Sequence, residues 1–324
     1  MEAGGLSDPR RRRQLREKAI EIAVTLIGLS GVAAVVLIIV FIGKEALPLI
    51  LDAEARHEAS FAKMFLPQVI REGRPATFMW QPVSNVPKVS MIPLLVGTLK
   101  VTLVSMLVAV PVGIAAAIFA SEFAPRRMRE WLKPVIELLA GIPSVVLGFF
   151  ALMVMATVVQ DVFGFAFRLN AVVAGLALAL AIVPVVFTVA EDALTAVPRS
   201  FREASLALGA TRWETAWKVV LPAATPGILA ACVLGFGRAI GETMVVLMAS
   251  GNAAITSLSL GDSVRSLSAT IAAEMGEVVV GSPHYSLLFF IGVELFVITF
   301  LLNMFAAMYT QRLIKKLSGA GSPK

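Results

Sequence analysis

Residues 198–222 read PRSFREASLALGATRWETAWKVVLP. Pro198 offers no N–H and breaks the helix before it. Ser200-Phe201-Arg202-Glu203 then has the form of a capping box, with Ser200 as N-cap and Glu203 at the third helical position. The helix it starts runs through Leu208, and Gly209 suits the left-handed position that closes a helix. Thr211-Arg212-Trp213-Glu214 is a second capping box. Its helix carries Trp213 and Trp217 one turn apart and is expected to stop before Pro222. Two short polar helices joined at a glycine are the prediction for this stretch.

Apolar sequence lies on either side of it. The chain of 324 residues is 58% hydrophobic, only 15% charged, and has a mean hydropathy of +0.85. Soluble domains carry about 25% charged residues, so most of this chain belongs in lipid. Six segments are long and apolar enough to span a bilayer: Ile20–Ile42, Pro93–Ala120, Pro134–Val158, Asn170–Ala190, Pro226–Ser250 and Tyr285–Tyr309. Helices are expected for all six, because lipid gives backbone groups no partner and a helix satisfies its own. Pro111, Pro143 and Pro184 fall within spans and are expected to kink them. The first span follows Arg10–Arg13, Arg16 and Lys18, and its length reads as a retained anchor rather than a cleaved leader. The single Cys232 forms no internal disulfide, and no Cys/His spacing suggests a metal site.

The net charge of +6 could suggest nucleic acid, but its distribution points to topology. With the N-terminus in the cytoplasm, the cytoplasmic segments hold 18 of the 28 Lys and Arg residues and the outer segments 8. That bias places both termini inside. The organisation is a cytoplasmic basic tail (1–19), a first transmembrane helix (20–43), an extracytoplasmic insert (44–92), a helical core (93–310) containing the 198–222 loop, and a cytoplasmic tail (311–324). The second long outer segment, Gly251–His284, holds a helical stretch near Ser263–Met275 that either lies on the surface or dips into the bundle.

Charges within spans mark candidate sites. Arg238 lies 12 residues after Pro226. That is roughly 18 Å along a helix, near mid-bilayer. Glu242 follows one turn later on the same face. Such groups usually face a bundle interior and pair. Either they form a packing ion pair, or they belong to a translocation path in which the arginine attracts an anion. Glu294 sits near mid-depth of the last span, where Arg238 or a partner subunit could pair with it. Lys100 lies nearer the outer end of its span and is expected to snorkel outward.

The 198–222 stretch also resembles a known motif. Glu203-Ala204-Ser205, three residues, Gly209, nine residues, then Val219-Val220-Leu221-Pro222 is similar to the EAA loop of ABC importer permeases. It departs at Ser205 and Val219, where the pattern has alanine and isoleucine. An ordinary connecting loop is the other reading of the helix signals. A DNA-binding helix-turn-helix is disfavoured, because both ends enter the membrane within a few residues. Further stretches resemble the phosphate permeases of the Pst system, of the PstC type: Gly97-Thr98-Leu99, residues 121–127, Glu137–Val146, Gly237–Thr243 and Ala269–Glu277. The likeness covers about residues 90–310.

The resemblance implies an all-α integral membrane protein of six transmembrane helices with the type I ABC importer permease (MetI-like) fold. It implies ATPase coupling through Glu203, Ala204, Gly209, Leu221 and Pro222, and a substrate path holding Arg238, Glu242 and Glu294. It also implies a second, PstA-like permease, a PstB-like ATPase dimer and an extracytoplasmic PstS-like phosphate-binding protein. The chain has no GxxxxGK[ST] loop and no convincing nucleophile–base constellation. No cofactor is expected on it, ATP being bound by the partner ATPase. The alternatives are a permease for another oxyanion or small solute, and an ion-coupled secondary transporter. The latter usually shows repeated halves and broken helices, which the sequence does not display.

Overall fold

In the computed structural model the described residues are 9–69, 76–84 and 86–317. The ends of both predicted tails (1–8 and 318–324) and Pro75 of the insert lie outside them. Among the described residues the regular structure is helical, apart from one antiparallel pair of two-residue strands. Helix α1 (Pro9–Ala46) carries the first span. The insert follows as α2 (Pro48–Leu51), α3 (Ala53–Glu58), α4 (Phe61–Phe65) and the antiparallel strands β1 (Trp80–Gln81) and β2 (Lys88–Val89). Then come α5 (Ile92–Ile118), α6 (Arg126–Ala140), α7 (Ser144–Phe150), α8 (Ala156–Phe163) and α9 (Ala171–Thr195). The second half holds α10 (Arg199–Ala207), α11 (Arg212–Thr215), α12 (Leu221–Gly241), α13 (Met244–Ala249), α14 (Leu267–Glu274) and α15 (Pro283–Leu317).

Six helical segments among the described residues can cross a membrane: Arg13–Leu51, Ile92–Phe123, Ser144–Phe163, Ala171–Thr195, Arg212–Gly241 and Pro283–Arg312. Two start ten or more residues from where the sequence placed them. Span three starts at Ser144, not Pro134, because Gly141-Ile142-Pro143 interrupts the helix there. Residues 126–140 form the separate α6, which buries no residue and presents Trp131, Val135 and Leu138 outward. Span five starts at Arg212 and ends at Gly241, rather than covering 226–250. Pro222 does not stop it. A π turn over Ala216–Val220 shifts the hydrogen-bond ladder by one residue just before the proline, so its missing N–H falls at the shift.

Span four is the centre of the bundle. It is apolar on every side, as a helix enclosed by others should be, and most of its apolar window is buried. Asn170 caps it by accepting from the Val173 N–H at 3.0 Å. Spans two and five press against it through small residues. A Cβ on Gly175 would lie 2.5 Å from Val104 Cβ, and one on Gly227 would lie 2.3 Å from Ala193 Cβ. Close backbone approach of this kind replaces the hydrophobic drive that lipid removes. Span one is peripheral. None of its apolar window is buried within the chain, and it touches α15 and α2.

The insert folds onto one end of the bundle. Met64, Trp80, Val89 and Met91 share a buried cluster with Leu267 of α14 and Leu287, Leu288 and Ile291 of α15. Of the two placements expected for the 263–275 stretch, α14 takes the buried one, enclosing Leu267, Ser268, Ala269 and Thr270. Lys100 does not snorkel. It is buried and donates to the Ser259 carbonyl at 2.8 Å, tying span two to the long 251–266 loop.

Candidate functional site: a coupling loop and a broken span

At the opposite, basic end the 198–222 stretch folds largely as its signals dictate. Helix α10 begins directly after Pro198, which takes the N-cap position with φ −57° and ψ 140°. Ser200 therefore lies inside the first turn and caps nothing, correcting the first capping box. At the other end Gly209 adopts φ +85°. Its N–H donates to Leu206 O at 3.0 Å, and that of Ala210 to Ser205 O at 3.2 Å. The two bonds make a Schellman closure. The second capping box forms as expected: Thr211 N donates to Glu214 Oε2 at 3.0 Å and Glu214 N to Thr211 Oγ1 at 3.2 Å. Trp213 and Trp217 stack with centroids 5.9 Å apart.

The second helix does not end before Pro222. It runs on as span five, so the pair is one free helix and the first turns of a membrane helix. Ser205, a departure from the EAA pattern, has its hydroxyl 2.9 Å from that of Thr215 and pins the two together. Glu203, Ala204, Gly209 and Pro222 are exposed and Leu221 is half-buried. Phe201, Leu206, Leu208 and Trp217 stand exposed beside them.

Two charged clusters at this end were not legible as sites. Glu191, 3% exposed near the end of span four, receives Arg129 at 2.6 Å, Lys133 at 3.0 Å and the Thr195 hydroxyl at 3.0 Å. Lys133 also reaches Asp192 at 2.8 Å. Hydrogen bonds to Asp192 and then Glu191 hold its ammonium above the ordinary 10.5. The signal available was the acidic pair ending span four opposite the basic turn after span two. The second cluster joins Arg202 of α10 to Glu122 at 2.7 Å.

The predicted path residues are placed differently from their expected geometry. Arg238 occupies the last turn of α12 and is exposed. Gly241 ends that helix, and Glu242 is extended (φ −68°, ψ 128°) before α13 begins. Glu242 is therefore not one helical turn beyond Arg238, and no ion pair joins them. The Glu242 carbonyl instead accepts from Ser268 Oγ of α14 at 2.8 Å. Glu294 is half-buried on α15, and its Oε2 is enclosed without a hydrogen-bond partner among the described residues. It does not pair with Arg238. The break at residues 241–243 splits the stretch 226–250, expected as one span, into the end of α12 and the separate α13. Irregular backbone within a membrane helix persists where it is packed in protein or lines a cavity.

At the insert end Glu274 gathers three donors. Trp80 Nε1 lies 3.0 Å from Oε1, His284 Nε2 lies 2.9 Å from Oε2, and Arg265 also pairs with Oε1. Burial works to raise the carboxyl, but the bonds from His284 and Trp80 and the charge of Arg265 prevail and hold it below the ordinary 4.5. These groups line an open basin of about 890 Å³ with Ser84 and Glu277. Among the described residues no group of three or more His, Cys, Asp or Glu could hold a metal.

Residues 109–315 match the family described as the binding-protein-dependent transport system inner membrane component. The chain belongs to that family. As a member it is an ABC importer permease subunit and a multi-pass inner-membrane protein. A probable ABC transporter permease, YqgH of Bacillus subtilis (strain 168), is 37% identical over 91% of both chains. The phosphate transport system permease protein PstC of Xylella fastidiosa (strain 9a5c) is 34% identical over 73% of this chain and 78% of its own. PstC of Mesorhizobium japonicum is 36% identical over 72% and 76%. The PstC-type kinship expected from the motifs is thus present over nearly three quarters of the chain.

The fold expectation is met as well. A bacterial ABC transporter for alginate, solved with a periplasmic protein carrying an alginate pentasaccharide, superimposes with a TM-score of 0.59. It is 16% identical and covers 92% of this permease and 98% of its own chain. An inward-facing MetNI methionine transporter gives 0.55 at 19% identity, over 69% and 97%.

Proposed function

We propose that this permease passes inorganic phosphate through the cytoplasmic membrane as the PstC-type member of an ATP-driven importer. Its partners are a PstA-like permease, a PstB-like ATPase dimer and an extracytoplasmic PstS-like binding protein. The bias of Lys and Arg supports the basic end and both termini as cytoplasmic. The insert and the Glu274 basin then face outward. On this reading Glu203, Ala204, Gly209, Leu221 and Pro222 meet the ATPase, which alone binds and hydrolyses ATP.

The observation that carries the reading is Arg238: an exposed guanidinium, in no ion pair among the described residues, beside the break in span five. A cation in a membrane helix is costly unless it faces protein or water, and an anion in transit is a natural occasional partner for it. Glu242 and Glu294 flank the path on this proposal, Glu294 offering a carboxyl oxygen that nothing described in the chain occupies. Kinship with PstC proteins supports phosphate as the anion.

Uptake of labelled phosphate into proteoliposomes holding all four components tests this. ATP-dependent uptake, lost in Arg238→Glu while the complex still assembles, is the expected result. Uptake driven by an ion gradient without ATP would overturn it. A second reading is another oxyanion, since YqgH is named only as a probable ABC transporter permease with no substrate stated. Competition by sulfate or molybdate in place of phosphate decides between them.

A further inference from the structure

Helix α10 buries none of its residues. Yet on the proposed reading it must carry a motor's displacement into the bundle. Ser205 ties it to Thr215 at the foot of span five, and Arg202 is the side chain that ties it to the tip of span two. Its Nε donates to Glu122 Oε2 at 3.0 Å and its Nη2 to Glu122 Oε1 at 2.7 Å. The remaining N–H groups reach main-chain carbonyls at the end of span four, Val197 at 2.6 Å and Leu194 at 2.8 Å. The pair is well enclosed, with side chains 21% and 10% exposed. A guanidinium forks onto a carboxylate in this way with little freedom to rotate, and lysine cannot reproduce it.

Glu122 lies in a π turn, Phe119–Phe123, that ends span two. The next residue, Phe123, packs on Trp213 with centroids 5.9 Å apart, and Trp213 stacks on Trp217. Two neighbouring residues at one helix tip therefore touch both halves of the coupling loop. Span five needs no such tip, because it is continuous with α11. Span four runs into α10 through residues 196–198, whereas span two is not joined to the loop by adjacent chain; spans two and four pack along each other.

We propose that the Glu122–Phe123 tip is the second entry point of the stroke. Arg202 transmits the displacement of α10 to span two, while spans four and five are joined to the loop by the chain itself. Glu122 and Arg202 are positioning residues for coupling, with no part in binding ATP or the anion. The assignment rests on the proposed ABC importer function.

The test measures labelled phosphate taken up per ATP hydrolysed in proteoliposomes of the full complex. Parent, Glu122→Gln, Glu122→Asp, Arg202→Lys and the double variant Glu122→Gln/Arg202→Lys are compared. Expected is a fall of about tenfold or more in that ratio for Glu122→Gln and Arg202→Lys, with ATPase co-purification intact. Glu122→Asp should recover part of it, and the double variant should be no worse than the worse single change, as for residues acting through one another. Where Glu122→Gln fails to assemble, Arg202→Lys carries the test alone. An unchanged ratio, or losses that multiply in the double variant, overturns this route while the transport reading stands. A parent complex without ATP-driven uptake overturns the transport reading itself, and the route with it.

Discussion

Adding one methyl group to span two at Gly97 should loosen the insert end of the bundle. A Cβ there would lie 2.2 Å from the Arg265 carbonyl oxygen and 2.9 Å from its carbon, where ordinary contact begins near 3.4 Å. Both sides are backbone, so no side chain can rotate away. Arg265 is itself held by Glu274 and by Asn252 Oδ1 at 2.9 Å. Relief requires the 251–266 loop to retreat by about 1 Å, an overpacking cost of roughly 1–3 kcal/mol. The retreat also stretches two bonds next to the clash. Leu267 N, completely buried, donates to Thr98 Oγ1 at 3.0 Å, and Lys100 donates to Ser259 O at 2.8 Å. A buried donor left without its acceptor costs roughly 1–3 kcal/mol. Together Gly97→Ala should destabilise by about 2–6 kcal/mol. At about 2–4 °C per kcal/mol, melting in detergent should fall on the order of 10 °C. Gly43→Ala, where nothing lies within 4 Å, is the control and should be neutral or slightly stabilising. If Gly97→Ala melts with the parent and the control, the close packing of the loop on span two is wrong.

Other expectations follow from single features. Gly209→Val places a β-branched residue at φ +85°. It should cost about 1–2 kcal/mol locally and lower phosphate uptake per ATP while leaving the Glu274 end unaffected, as trypsin sensitivity of each end would register. The Glu274 node contributes stability fully above pH 4.5, its ordinary value, and loses it as pH falls through the lower pKa of the folded chain. Glu274→Gln should therefore flatten the acid limb of a melting-temperature profile. A profile that keeps its slope in the variant would assign that limb to another group.

Span number and loop chemistry were readable because each rests on local rules. Apolar runs show as runs, and Thr211 and Glu214 sit at capping distance whatever surrounds them. The boundaries moved where one proline or glycine outweighed the hydropathy around it. Ile142-Pro143 cuts an apolar run that otherwise reads as continuous, whereas Pro222, placed at a π turn, interrupts nothing. Ser200 looked like a cap because Glu203 follows at the right spacing, but Pro198 had already fixed an extended turn two residues earlier. The Glu274 and Arg202 clusters join residues from 9 to 194 positions apart. No local pattern encodes such pairings. Only the charge sign at span ends hinted at them.

The exposure of Arg238 also orients the bundle on the proposed reading. Exposed apolar side chains say little here, since Leu, Val and Phe suit lipid and a partner helix equally; Val24 and Ile27 on span one and Phe149 and Met153 on span three are all bare in the isolated chain. A guanidinium does discriminate, because facing hydrocarbon costs at least about 2.5–3.5 kcal/mol. The face of α12 bearing Arg238 must therefore be covered by protein or water, and span one, whose apolar window is bare and which carries its charges only toward its ends, takes the lipid side. A second permease seated against the Arg238 face would place the cation at the seam between two subunits, beside the interrupted backbone at Glu242. An anion crossing there would meet one fixed charge beside a helix break whose Glu242 carbonyl is held by Ser268.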